Sequence, residues 1–364
     1  MSGIFGMNIK MAIYGESHGK SIGVVLDGLP PGLALDEATI AAEMARRAPG
    51  QNALSTARKE SDTVEIQSGF FNGFTTGTPL CARIVNSDQH SKDYSILADK
   101  MRPGHADYAG HVRYQGFNDY RGGGHFSGRL TAPLVFAGAV AKQALTQYGI
   151  VVGSHILQIN DIKEERFNPM GVNDKVLAEL HAKKFAVMND AVGEKMQERI
   201  LQAKSEFNSV GGVIEAIALH LPPGIGAPYF DSVESMLSHA LFSVPAVKGI
   251  EFGDGFAFAG LTGAEANDAL HYVDGKVQAL TNHNGGVTGG ITNGMPLVVR
   301  VAIKPTPSIA REQQTVSLKE QTDTTLAIVG RHDPCIVQRA VPVIEAVVAW
   351  TLWDLLLEAK KWEK

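Results

Sequence analysis

Two segments of this 364-residue chain follow one plan. Residues 21–32, SIGVVLDGLPPG, alternate apolar positions from Ile22 to Leu26 as a strand does and close on a Pro-Pro-Gly turn. Residues 211–226, GGVIEAIALHLPPGIG, repeat that order in the second half. A helical pattern follows each copy. In the first, Asp36 is placed to cap LDEATIAAEMARR, with Ile40 and Met44 on one face and Pro49-Gly50 ending it. In the second, DSVESMLSHALF starts at Asp231. A period this long excludes a solenoid and points to an internal duplication. The expected class is α+β, with residues 1–364 as one domain. Its two interleaved, pseudo-symmetric halves span about 8–150 and 205–345, and a C-terminal helix completes it.

The remaining elements are ordinary. Residues 131–148 and 340–357 are the apolar runs that need a membrane check. Lys142 and Gln143 interrupt the first, Glu345 and Asp354 the second, so neither offers about 20 uninterrupted apolar residues and both read as core helices. Residues 174–185 and 191–207 are amphipathic helices, and PLVVRVAIKPTPS contains a strand. The first residues show no charged segment followed by a long apolar one, so no signal peptide is expected. Cys81 and Cys335 lie far apart without metal-ligand spacing, as in proteins of the reducing cytoplasm. With a net charge of only −5, neither a nucleic-acid nor a membrane partner is expected. An anionic ligand would have to be met by a local cluster of cations.

Residues 102–129, RPGHADYAGHVRYQGFNDYRGGGHFSGR, supply such a cluster. Arg102, His105, Arg121, His125 and Arg129 lie among seven glycines, with no apolar run to build a core and too much glycine for a stable helix. Gly-rich backbone entering a helix start between cations is how proteins hold phosphate and other anions. His105 stands where it can move a proton near neutral pH, with Asp107 placed to fix its tautomer. Near the C-terminus Arg331, His332 and Asp333 bring cation, imidazole and carboxylate together, and Arg331 and Asp333 would share a face of an extended segment.

Two other readings attach to these motifs. Gly15-Glu16-Ser17-His18-Gly19 matches the GxSxG elbow of serine hydrolases, but an elbow needs a helix directly after it and a strand pattern follows here. Arg121-Gly122-Gly123-Gly124 has the look of an RGG segment, yet it occurs once and no RNP-like aromatic strand accompanies it. No P-loop, HExxH, EF-hand or Rossmann fingerprint is present.

Taken in order, the motifs GESHG, LPPG, RRxPG, TTGTP, RPGHADY, RGGG with S-x-R, NGG-GGI-NG, KPT and GRHDPC-RAVP resemble the chorismate synthase family from Gly15 to about Pro342. The resemblance implies a β-α-β sandwich of two similar halves and a homotetramer. It implies the anti-1,4-elimination of phosphate from 5-enolpyruvylshikimate 3-phosphate, giving chorismate, with reduced FMN as cofactor and an external flavin reductant or reductase.

By the same resemblance, His18 would protonate the departing phosphate and His105 would stabilise the reduced anionic flavin. Asp333 would assist removal of the substrate proton by the flavin N5. Arg47, Arg102 and Arg129 would hold the substrate. The cofactor would be held by His125, Phe126, Ser127 and Gly128, by Pro245, Ala246 and Gly289, and by Lys304, Pro305, Thr306, Pro307, Ser308 and Arg331. His125 and Phe126 stand where the family commonly has arginine and serine. Ala48 and Ala53 stand where basic residues are common, which removes support for a nicotinamide-reductant contact there.

Overall fold

The computed structural model describes residues 3–50, 54, 62–87, 96–328 and 332–361. Its two main sheets have five strands each and are antiparallel throughout. In the first, Ile4–Phe5 pairs with Lys10–Gly15, followed by Ser21–Asp27, Leu80–Val85 and Val64–Ser68. In the second, Val247–Phe252 is followed by Leu297–Ile303, Gly212–Leu219, Val151–Ile159 and Ile162–Lys163. If the four long strands of each sheet are numbered along the chain, both sheets place them in the order first, second, fourth, third. In both, the second strand leads through LPPG to a helix, Glu37–Arg47 or Val233–Phe242, and a long helix follows the fourth.

The two long helices, Thr131–Thr146 and Val337–Lys360, pack against one another between the sheets. Gly138 makes their approach possible, since a Cβ there would lie 2.2 Å from Ala346. The C-terminal helix is long and apolar enough to cross a membrane, but 89% of its apolar window is buried inside the protein. Its acidic interruptions have structural partners. Asp354 accepts the backbone N–H groups of Met7, Asn8 and Ile9 at 2.7–3.0 Å, fastening the N-terminal segment to the helix. Glu345 accepts from Arg46, Lys142 and Ser154.

Several helix starts follow the capping rules. Asp36 accepts from Ala38 and Thr39, and Ser232, one residue beyond Asp231, accepts from Ser235. The amphipathic stretches form Asp174–Ala182 and Asp190–Ser205, each capped by an asparagine. One expectation is corrected: the Gly-rich excursion does hold a helix, Asp107–Arg113. Its single glycine, Gly110, is covered by the Phe126 ring, so packing outweighs the propensity cost of roughly 1 kcal/mol.

Candidate functional site

The site is assembled around the turn of residues 121–126. Gly122, Gly123 and Gly124 take φ values of 59°, 86° and 54°, a left-handed run that glycine alone adopts readily. Space demands glycine as well. A Cβ on Gly122 would lie 2.2 Å from the His18 ring, and one on Gly123 would lie 3.1 Å from His105 Cε1. Both histidines therefore press on one strip of bare backbone. Ser17 N donates to Gly124 O at 3.0 Å, and His125 Nδ1 donates to Gly15 O at 2.8 Å, which joins the GESHG turn to it. GESHG itself links the paired strands Lys10–Gly15 and Ser21–Asp27, with Ser17 buried. No helix follows it, so the hydrolase elbow is not formed.

Asp107 organises the residues before that turn. Its carboxylate accepts from Arg102 N at 3.0 Å and from Arg102 Nε and Nη2 at 2.7 Å each, while His105 Nδ1 lies 2.6 Å from Oδ1. Arg102 Nη1 donates to Ser308 Oγ at 3.1 Å. Burial opposes charge on Asp107, but the hydrogen bonds from Arg102 and His105 outweigh it and hold the carboxyl well below its ordinary range. Arg102 Nη2 also lies 3.1 Å from His105 Nδ1. The shorter contact with the carboxylate decides the tautomer, placing the proton on Nδ1.

A second buried carboxylate, Asp62, lies between two arginines. Arg47 Nη1 is 3.0 Å from it, Arg129 Nη1 also contacts it, and Arg129 Nε donates to Asn86 at 3.0 Å. Asp62 thus draws two guanidinium groups together in a site shielded from water. Asp333 receives Arg339 Nη1 at 2.6 Å. Lys304 N donates to Ala246 O at 2.9 Å, joining the segments that carry Pro245 and Lys304. Lys304 Nζ contacts Gly104 O; burial, then the charge of Lys248, lowers its pKa.

These groups surround a cavity of about 730 Å³. Arg47, Arg102, Arg129, His105 and Asp333 line it. So do His125, Phe126, Ser127 and Gly128, and Pro245 and Ala246. Lys304, Thr306, Pro307 and Ser308 complete the polar wall, while Ile13, Leu134, Val244, Ile336 and Val343 form an apolar one. His18 stands behind Gly122 instead of on the lining, and Pro305 points elsewhere between two lining residues. Gly289 is not brought to this cavity. It turns the hairpin between Val287–Thr288 and Ile291–Thr292, which bonds to the start of helix Val233–Phe242 through Gly290 O. The cavity meets the other end of that helix, at His239 and Phe242. Arg331 and Ala53 lie outside the described residues.

Sequence reasoning missed Asp62, Asn86 and Arg339, and gave His332 no role. Asp62 ends a polar run that reads as surface loop, and nothing in its neighbours announces two buried arginines. His332 lines the cavity. Burial, and then the charges of Arg102 and His105, lower its pKa from 6.5 to about 4 against the opposing pull of Asp333. The folded protein thus favours neutral imidazole, and the unfolded chain binds more protons between those two values. Stability contributed by the neutral ring is present above pH 6.5 and is lost as the pH falls toward 4. His332→Gln should flatten that part of the stability–pH curve by at most about 3 kcal/mol, read from urea midpoints at pH 4.5 and 7. An unchanged difference between the two midpoints would refute the assignment.

The family model for chorismate synthase matches residues 9–357. The chain is 46% identical over 358 residues to a chorismate synthase from Pyrococcus abyssi, with 98% of each chain covered. It is 44% identical to one from Dehalococcoides mccartyi, covering 99% of this chain and 98% of the other. A crystal structure of chorismate synthase superposes with a TM-score of 0.77 at 30% identity, covering 97% of this chain and 93% of that one.

Proposed function

Because the chain belongs to the chorismate synthase family, we propose that its cavity carries out the anti-1,4-elimination of phosphate from 5-enolpyruvylshikimate 3-phosphate with reduced FMN as the cofactor. The observation that carries this reading is that three buried, carboxylate-braced guanidinium groups and His105 line one cavity together with apolar residues, with His18 behind Gly122. The substrate has a phosphate and two carboxylates, and planar guanidinium forks suit such groups better than ammonium does.

The residues present fit the cofactor. Leu134, Ile336 and Val343 offer an apolar wall to a flat ring. Ser127 and Gly128 offer backbone, and a Cβ on Gly128 would meet nothing within 4 Å. Lys304 and Thr306 to Ser308, with Pro245 and Ala246, would hold the remainder. Reduced FMN supplies the electron-rich ring that breaking an unactivated C–H bond requires and that no side chain here offers.

The chain's own groups do the rest. Arg47, Arg102 and Arg129 orient the substrate and stabilise the negative charge that builds as phosphate leaves, at no reorganisation cost because Asp62 and Asp107 already hold them. His18 gives a proton to the departing phosphate. His105, its ring fixed by Asp107, holds a proton beside the anionic form of the cofactor. Asp333 takes part in removing the substrate's C–H proton. The apolar wall excludes water, which strengthens every one of these charge interactions.

The reading extends to a cytoplasmic homotetramer supplied with reduced flavin by an external reductant or reductase. Tyr229, Phe230 and Phe256, each close to nine-tenths exposed, support association. The strand order common to both sheets supports one domain of two duplicated halves. The test is anaerobic incubation of the protein with 5-enolpyruvylshikimate 3-phosphate and FMN, with and without dithionite, following phosphate release and chorismate absorbance. Product only with reduced flavin is expected. Folded protein that makes no product in either condition, or makes it without flavin, would refute the reading.

A further inference from the structure

We propose that Arg339 is a positioning residue, a guanidinium bridge that sets the carboxylate of Asp333 in register with the end of the helix carrying Arg47. The inference rests on the reading above of Asp333 as the group that handles the substrate proton.

Arg339 lies in the first turn of the C-terminal helix Val337–Lys360 and lines the cavity. Its Nη1 donates to Asp333 Oδ2 at 2.6 Å, and its Nε donates to the carbonyl oxygen of Arg47 at 3.1 Å. The side chains of Arg339 and Asp333 are only 20% and 10% exposed, so water screens the pair weakly. The carbonyl it caps is one of those that a helix end leaves without an intrahelical donor. A cation there is also favoured by the helix dipole.

The two contacts lie on opposite sides of the seam between the halves. Asp333 and Arg339 come from the second half, whereas Arg47 ends the first helix of the first half and continues through Asp62 to Arg129 and Asn86. One guanidinium thus relates the carboxylate to two of the three arginines that receive the substrate. Lysine cannot substitute fully. It presents a single nitrogen, whereas the two partners are met by two nitrogens held in a rigid plane.

A residue that works only through Asp333 predicts non-additive losses. Arg339→Met should lower kcat about 100-fold, and Arg339→Lys about tenfold. In an Asp333→Asn background, Arg339→Met should cost less than about threefold more, because the group it positions is already gone. Binding of oxidised FMN, followed by quenching of flavin fluorescence without turnover, should stay within about threefold of wild type in every variant, since none of the assigned flavin contacts is altered.

Losses that multiply in the double variant would overturn the inference. So would full activity in Arg339→Met, or a loss of flavin binding as large as the loss of kcat. If thermal melting shows that Arg339→Met does not fold, Arg339→Lys carries the same cycle, and additivity there is equally fatal. Wild-type enzyme assayed alongside separates the two questions. No product from wild type would sink the functional reading, whereas an additive cycle in active enzyme sinks only the role of Arg339.

Discussion

Replacing Asp107 by asparagine is expected to lower kcat by about 10²–10⁴-fold while leaving the fold in place, a loss of the size seen when the residue orienting a catalytic histidine is made neutral. Asparagine has the same shape but only one acceptor oxygen. Asp107 now accepts three hydrogen bonds from Arg102 and faces Nδ1 of His105. If the new amide turns its NH₂ toward His105, Nδ1 must become an acceptor and the ring takes the other tautomer. If the NH₂ turns toward Arg102, donor meets donor and a buried guanidinium loses its counter-charge. Neither orientation preserves the site. Because the native carboxyl lies well below its ordinary range, its own protonation should leave no acidic limb in the pH–rate profile above about pH 4. Steady-state kinetics beside a melting curve would decide the matter. Activity within threefold of wild type would show that Asp107 neither orients His105 nor braces Arg102 productively.

That prediction shows where sequence reasoning sufficed. Asp107 stands two residues from His105, so a local contact was legible from spacing alone. Local rules also placed the helix that begins at Thr131, the Asp36 cap and the strand after GESHG, each determined by periodicity or a capping residue within a few positions. The repeated LPPG turn was visible because its turn chemistry is local, and each copy leads from a strand to a helix in sheets of one strand order. What was not legible is pairing between remote segments. Asp62 meets Arg47 and Arg129 only because segments remote in the chain converge there. Gly122 and Gly123 were recognisable as permissive backbone, but not as the surface on which His18 and His105 close from two sides.

The same limit governs helix Glu37–Arg47. Its two terminal arginines have a complete local explanation in the helix dipole. The structure gives them different work. Arg47 enters the site, whereas Arg46 turns away into a buried cluster between three helices. Adjacent residues on a helix project about 100° apart, so one helix end can serve catalysis and packing together. No single-residue rule predicts which arginine does which.

Within that cluster, Glu345→Leu is expected to cost about 3–5 kcal/mol of stability, the range found when one member of a buried ion network is removed. For a chain of this length, such a loss lowers Tm by roughly 4–7 °C. Glu345 is 1% exposed and accepts Arg46 at 2.7 and 3.0 Å, Lys142 at 2.6 Å and Ser154 at 2.9 Å. Glu43 receives the same two cations and His181. Without Glu345, Arg46 and Lys142 must share Glu43, leaving a buried positive charge that leucine cannot answer. Burial opposes ionisation of Glu345, but Arg46 and Lys142 outweigh it and hold its carboxyl well below the usual range. The sign follows from that direction: its stabilisation is present above pH 4.5 and is lost as the pH falls through the lowered pKa. Glu345→Gln keeps the volume and should still flatten the acid limb, which separates charge from packing. A buried network need not be net stabilising, however, since replacing all of its members with apolar groups of similar volume is often neutral or better. Replacing Glu43, Arg46, Lys142 and Glu345 together should therefore cost less than replacing Glu345 alone. If the single variant melts with wild type, the cluster contributes no more than an exposed pair would, and the helices are held by their apolar contacts alone.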